Sequence, residues 1–366
     1  MHKELVQFRK QFLLFGACEM SNSAQKAHLS IYDIAKIAEV SPTTVSKVIN
    51  GRYGVSEKTH KKVQEVLNQT GFMPKISVNH LNYIAVIYSS QKSDIFESHF
   101  TQKVLKGIDY VIHNSDYYLT LLPFKVLPAS REEFTVFCHR QRIAGCIFLA
   151  PIQGTESCIV TQISGVVPFV ILNERYANAQ NTFSVTSNDY FGAYRAVTHM
   201  IEYGHRRIAM AAFGSKVHMA HDERKDAYTM ALKSHGINLN QDYLFDAGGM
   251  TYEEFYNLVG NWEKFDMLPT AIFCVDDSVA FNLLKYLQRM GKRVPEDISL
   301  VGFDDYDYDT IFTPNLTTVR QKLFEKGQKA AGIIVDVLAG ELVCNEDTKD
   351  IVFETELVIR DSVQRL

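Results

Sequence analysis

Between residues 30 and 72, apolar positions recur every three or four residues in three short bursts. Ile31, Ile34, Ala35 and Ala38 form the first, Val45, Val48 and Ile49 the second, and Val63, Val66 and Leu67 the third. Ser30 precedes the first burst with Asp33 three residues on, the spacing of a capping box. Glu39 and Val40 make a turn, Ser41 caps the second helix, and Pro42 takes its first position, where a missing N–H is of no consequence. Gly51 and Gly54 break the chain, Ser56 caps a third helix and Gly71 stops it. The pattern predicts three short helices around a small core. The second, Pro42 to Asn50, keeps Thr43, Thr44, Ser46 and Lys47 on its polar side. Such residues reach base edges and phosphates when a helix N-terminus enters a major groove. A plain three-helix bundle fits the same periodicity.

Beyond Pro74 the period changes. A spacer over residues 76–82 leads into YIAVIY (83–88), and apolar runs then alternate with amphipathic stretches. Further strands are expected at Tyr118–Leu122, Cys146–Leu149, Phe169–Leu172, Phe183–Val185, Ile208–Ala212, Ala271–Val275, Ile298–Gly302 and Ile351–Val358. Helices are expected between them, for example Phe100–His113, Tyr190–Tyr203, Ala220–His235, Ser278–Met290 and Leu323–Ala339. This alternation implies parallel sheets covered on both faces. At 366 residues, two doubly wound lobes behind the small helical unit are more economical than one large sheet. The expected division is an extension over 1–28, a helical headpiece over 29–75, a linker over 76–82 and a two-lobed α/β part over 83–366.

Composition, 46% hydrophobic and 22% charged, excludes a disordered chain. The net charge of −4 hides an asymmetry: residues 29–75 carry 7 Lys/Arg against 4 Asp/Glu, and residues 76–366 carry 27 against 36. A basic end on an acidic body suits an end that meets phosphate. Six cysteines show no C-x-x-C pair, and several, such as Cys146 and Cys274, sit in apolar runs, as reduced cytosolic thiols do. Lys3, Arg9 and Lys10 before the apolar Phe12–Ala17 faintly imitate an export signal, but the run is too short to span a bilayer. A start at Met20 and a cytoplasmic protein are the favoured account.

The wording of the headpiece narrows the reading. Y-D-I-A-K-x-A-x-V-S-x-x-T-V-S-K-V-I-N-G from Tyr32, then V-S-x-x-T and a G-F-x-P ending, closely resembles the headpiece of LacI/GalR-type repressors. PFVILNER, DYFGA, HMIEYGHRRIA, the long PTAIFCVDDSVAFNLLKYLQRMGKRVPEDISLVGFDD, TPNLTTVRQ and ELVIRDS extend that resemblance to about residues 30–366. It implies a helix-turn-helix headpiece and a periplasmic-binding-protein-like body of two doubly wound lobes. It also implies a homodimer on a near-palindromic operator in double-stranded DNA, controlled by a small effector, a sugar or sugar derivative. By resemblance the DNA-facing set is Ser30, Tyr32, Ser41, Pro42, Thr43, Thr44, Ser46, Lys47, Asn50 and Tyr53. Leu81 either wedges into the minor groove or begins the first strand. Here Val78-Asn79 replaces the family's Ala-Arg, the spacer is shorter than usual, and Glu39 stands where glycine is common.

Ligands of such lobes bind at strand C-terminal ends. Asn173, Arg224, Asp276 and Asp304 sit there by sequence and match family effector positions, with Ser89 and Phe191 as weaker additions. Carboxylates and a guanidinium bind vicinal hydroxyls in pairs. Asp276 and Asp304 also suit capping of the helices that follow, and Phe191 either stacks on a sugar or fills the core. The dense acids at Asp304, Asp305 and Asp307 are expected to decorate a helix N-terminus. The family more often has Asn at Asp276 and Gly at Ala227. His218 and His221 precede Arg224 without the further ligands a metal needs, and His199 and His205 read as structural. No nucleophile elbow, Walker loop or zinc-protease motif occurs, so no catalysis, cofactor, metal or membrane partner is expected. A protein corepressor in place of a small ligand, and an exported sugar receptor, are the rival readings.

Overall fold

The computed structural model describes residues 30–49, 54–70, 82–89, 98–149, 155–175, 179–212, 219–311 and 313–366. The chain divides into two units, Met1–Pro74 and Lys75–Leu366. Asn50, Tyr53, Leu81, His218, residues 1–28 and most of the linker lie outside the described residues.

In the first unit, helices α1 (Ile31–Ile37), α2 (Pro42–Ile49) and α3 (Glu57–Thr70) surround one core. Ile34, Ala35, Ala38, Val45, Val48, Ile49, Val63 and Val66 are buried together, the three expected apolar faces. The capping box is formed: Asp33 N donates to Ser30 Oγ (3.3 Å) and Ser30 N to Asp33 Oδ2 (2.7 Å). Ser41 and Ser56 cap the next helices by accepting from Thr44 N (3.1 Å) and Thr59 N (3.2 Å).

The second unit holds two six-stranded sheets. In sequence order the first half contains β1 (Tyr83–Tyr88), α4 (His99–Ile112), β2 (Tyr118–Pro123), α5 (Arg131–Gln141), β3 (Ile143–Leu149), α6 (Thr155–Ile163), β4 (Phe169–Leu172) and β5 (Thr182–Ser187). The second half contains α7 (Asp189–Glu202), β6 (Ile208–Ala212), α8 (Met219–Ser234), β7 (Leu244–Asp246), α9 (Tyr252–Lys264), β8 (Ala271–Cys274), α10 (Asp277–Arg289), β9 (Ser299–Asp304) and β10 (Thr317–Arg320). The chain then returns with α11 (Leu323–Ala339) and β11 (Asp350–Phe353), and crosses once more to β12 (Glu356–Val358). Strand orders are β11-β5-β4-β3-β1-β2 and β12-β10-β9-β8-β6-β7. Three crossings therefore join the lobes, at residues 187–189, 320–323 and 353–356.

Each central strand feeds two cores, because successive side chains leave opposite faces. Ile84 and Val86 of β1 join Val104 and Ile108 of α4 and Ile334 of α11; Ala85 and Ile87 join Phe134 and Cys138 of α5. In the other lobe, Met210 and Phe273 pack under α7 and α8, and Ala211 and Ile272 under α9 and α10. Helices α4 and α11 approach almost backbone to backbone. A Cβ on Gly107 would land on the Phe324 carbonyl, and one on Gly327 on the Val104 carbonyl.

Two expectations need correction. The run Ile351–Val358 is two strands in different sheets, and the crossing at Glu354–Thr355 is invisible in a continuous apolar pattern. Nor is the second sheet wholly parallel, for β12 pairs antiparallel with β10. The short strands β7 and β10 were not separately expected. Cys138, Cys146 and Cys274 are buried, whereas Cys158 is exposed.

Candidate functional site

On the headpiece, Tyr32 and Thr43 are exposed, and Pro42, Thr44, Ser46 and Lys47 are half-buried on the outer side of α2. Thr44 and Ser41 are engaged with each other as well as in the cap (Oγ to Oγ1 2.8 Å). Glu39 adopts a left-handed backbone (φ 49°), which explains why glycine suits this turn, and its carboxylate accepts from Lys62 Nζ at 2.7 Å. That pairing holds Glu39 below the usual carboxylate range.

In the second unit, strand ends bring a polar network to the lobe crossings. Arg224 on α8 is buried, donating from Nε and Nη2 to Asp189 Oδ1 (2.8 and 2.6 Å) and from Nη1 to the Val275 carbonyl (2.6 Å). Its guanidinium lies 3.7 Å from Asp304 Oδ1 and 3.7 Å from the centre of the Phe303 ring. Asp304 accepts from Gln321 Nε2 (2.6 Å). Gln321 Oε1 accepts from Ser187 Oγ (2.7 Å) and Lys326 Nζ (3.2 Å), and Lys326 also donates to Ser187 Oγ (3.0 Å) and Asn173 Oδ1. One polar chain thus runs from Arg224 in one lobe to Asn173 in the other through two of the three crossings, by an ion pair from Arg224 to Asp304 and by hydrogen bonds from there on.

Of the expected residues, Arg224, Asp304 and Asn173 are joined by this network. Asp276 stands beside it as the N-cap of α10, accepting from Val279 N at 2.8 Å. Burial raises the Asp276 carboxyl. Burial also pushes Asp304 up to about 6, against the pull of Arg224. Asp304 caps no helix: it ends β9 at φ 120°. Ser89 and Phe191 stand apart. Ser89 is buried with its Oγ 3.4 Å from Glu156 Oε2, and Phe191 is 45% exposed at the start of α7 with Arg195 above its ring.

Asp307 opens a short 3-10 helix (Asp307–Thr310), as expected of an acid at a helix N-terminus, but the cluster is also ion-paired. Asp305 accepts from Arg320 Nε (2.6 Å) and from Arg360, and Asp307 takes Lys103 Nζ from the other lobe (2.5 Å). The His99 and Tyr306 rings meet at a tilt, 4.6 Å between centres, so this contact between lobes is also aromatic. Behind it, Asp277 and Asp309 have no exposed surface, and Asp309 is pushed up to about 7, mainly by burial. His205 is structural, bonded to Thr270 Oγ1 (2.9 Å) and the Gln364 carbonyl (3.1 Å). No group of three metal-ligating side chains occurs among the described residues.

Comparison with known proteins gives two family matches. Residues 30–75 match "Bacterial regulatory proteins, lacI family", and residues 197–363 match "Periplasmic binding protein-like domain". The chain therefore carries a lacI-family headpiece and a periplasmic-binding-protein-like body. The HTH-type transcriptional repressor PurR of Haemophilus influenzae is 25% identical over 342 residues, covering 92% of this chain and 99% of that protein. A Bacillus subtilis protein described as a probable HTH-type transcriptional repressor, ExuR, is 29% identical over 351 residues, with the same coverage. Among solved structures, a transcriptional regulator CelR–cellobiose complex aligns with TM-score 0.65 at 24% identity, covering 91% of this chain and 99% of its own. The lac repressor dimer bound to operator aligns with TM-score 0.62 at 22% identity, covering 92% and 99%. These structures establish the shared fold: a helix-turn-helix headpiece followed by two α/β lobes. The lacI-family relatives are regulators of transcription, and no helix among the described residues is long and apolar enough to cross a membrane.

Sequence reasoning missed Asp189, Gln321 and Lys326. Lys326 carried a signal, since it falls on the apolar stripe of α11 with Leu323, Ala330 and Ile333. Asp189 reads as an ordinary acid in a first helical turn, and Gln321 had no signal.

Proposed function

We propose that this chain is a sequence-specific transcriptional repressor, acting as a homodimer in the cytoplasm, whose operator affinity is set by a sugar or sugar derivative between its lobes. The observation that carries this reading is the union in one chain of a lacI-type headpiece and a buried network of charged side chains at opposed strand ends. Thr43 and Lys47 contact bases or adjacent phosphates, with Tyr32, Ser30, Ser41, Pro42, Thr44 and Ser46 around them. Asn173, Arg224, Asp276 and Asp304 contact the effector, with Ser89 and Phe191 at its edge. Effector binding shifts the lobes through its unequal affinity for their two arrangements. The protein is a regulator and not an enzyme. Neither rival, the protein corepressor or the exported receptor, gains support from the relatives.

Selection of tight binders from random duplex DNA tests this reading. An inverted repeat is expected, and Lys47→Ala should weaken binding to it by ~1–3 kcal/mol while changing random-duplex binding less. No enrichment even at low salt, where phosphate attraction is strongest, would overturn it.

A further inference from the structure

Lys326 is the only lysine among the described residues that is fully buried. Its ammonium meets three neutral acceptors, Asn173 Oδ1, Ser187 Oγ and Gln321 Oε1, and no carboxylate lies within ion-pair reach of it among the described residues. Burying a cation without an anion beside it is costly. The arrangement has a consequence for Asn173. An ammonium only donates, so the amide oxygen of Asn173 faces Lys326 and the amide N–H groups point away from it. The positive charge behind the amide strengthens those N–H groups as donors. Asn173 is partly exposed at the C-terminal end of β4, where a ligand meets it. Gln321 is fixed in the same way, its oxygen toward Lys326 and its nitrogen toward Asp304.

We propose that Lys326, by turning the amide N–H groups of Asn173 toward the cleft, makes that wall a subsite for a carboxylate, so that the effector is a sugar acid and not its neutral parent. This rests on the reading of the cleft as a sugar site. Lys326 is a positioning residue here, acting through Asn173. The charged groups that act on it are Asp189, Arg224 and Asp304, with Asp276 beside them. Asp189 is taken by Arg224, and burial pushes Asp276 and Asp304 toward their neutral forms, Asp304 to about 6. Burial lowers Lys326 to about 8, so its charge is present below that pH. Both shifts favour an anionic ligand as pH falls.

Calorimetric titration of the full chain with glucuronate and galacturonate, each against glucose and galactose, tests this at a pH below 7 and again above 9. One acid should bind ~10-fold or more tightly than its parent at the lower pH, the equivalent of about 1.4 kcal/mol. That margin should shrink at the higher pH, and Lys326→Met should lose it. A parent sugar that binds as well as its acid overturns the proposal and leaves the sugar site standing. So does a margin indifferent to pH, a result from the wild-type protein alone that does not depend on the variant folding. If neither acids nor parents bind, the sugar reading falls and this proposal with it.

Discussion

The two lobes share one strand order and differ in what they place at its ligand edge. Each sheet runs from its second strand through its first, third, fourth and fifth to a late-returning sixth. Both therefore point their strand C-terminal ends at the same crossings. The first lobe arrives there with Asn173, Ser187 and a lysine among neutral acceptors. The second arrives with Asp189, Asp276, Asp277, Asp304 and Asp309 buried or half-buried, answered by Arg224 and Arg360. Topology fixes where a ligand meets the protein, and the side chains at the strand ends decide what it can be.

The contrast can be broken at its charged end first. Arg224→Met leaves Asp189 and Asp304 buried without their guanidinium and should cost ~3–5 kcal/mol in denaturant unfolding. Lys326→Met removes a donor from acceptors of which Gln321 and Ser187 still satisfy each other, but also an unpaired buried charge, and should change stability by less than ~1 kcal/mol. Equal losses would mean that the two lobes hold their polar groups in the same way. Gly327→Ala drives a methyl into the α4 backbone and should destabilise by ~1–3 kcal/mol or more, read as a lower thermal midpoint.

The two lobes should also answer pH with opposite signs. Asp304 and Asp309, at about 6 and about 7, bind protons in the fold that the unfolded chain has released, so they favour folding at low pH. Their contribution is lost as pH rises from the ordinary carboxylate range through those values. Lys326, at about 8, is protonated in the unfolded chain up to its ordinary value, so its contribution improves between about 8 and 10.5. Stability measured against pH should show a shallower fall below neutrality in Asp304→Asn and Asp309→Asn, and a shallower alkaline rise in Lys326→Met. A small gain is expected at Gly332, on the same helix as Gly327 but with nothing near its absent side chain. Gly332→Ala should stabilise by ~0.5–1 kcal/mol, and a loss there would show that α11 is packed on that face too.

Much of this was legible in the sequence where periodicity and capping carry the information. Leu323–Ala339 has its expected bounds, and Ser30, Ser41 and Ser56 cap as their positions imply. Ile351–Val358 misled because apolar alternation says nothing about which sheet a strand joins. The network was only half legible. Arg224 and Asp304 stand in recognisable wording, but their partners come from residues 35 and 17 positions away, and no local pattern reports such pairings. Lys326 was visible as a polar residue on an apolar stripe, a conflict of the kind that marks functional positions.

The central claim is that cleft occupancy moves DNA affinity. Its most direct test is the affinity of the full chain for its selected inverted repeat, measured with each sugar and sugar acid added in turn. At least one compound should change that affinity ~5-fold or more, and by reciprocity the DNA complex should bind that compound with an affinity altered by the same factor. An operator affinity indifferent to every compound, from a chain that nevertheless binds one of them in the cleft, would contradict the account.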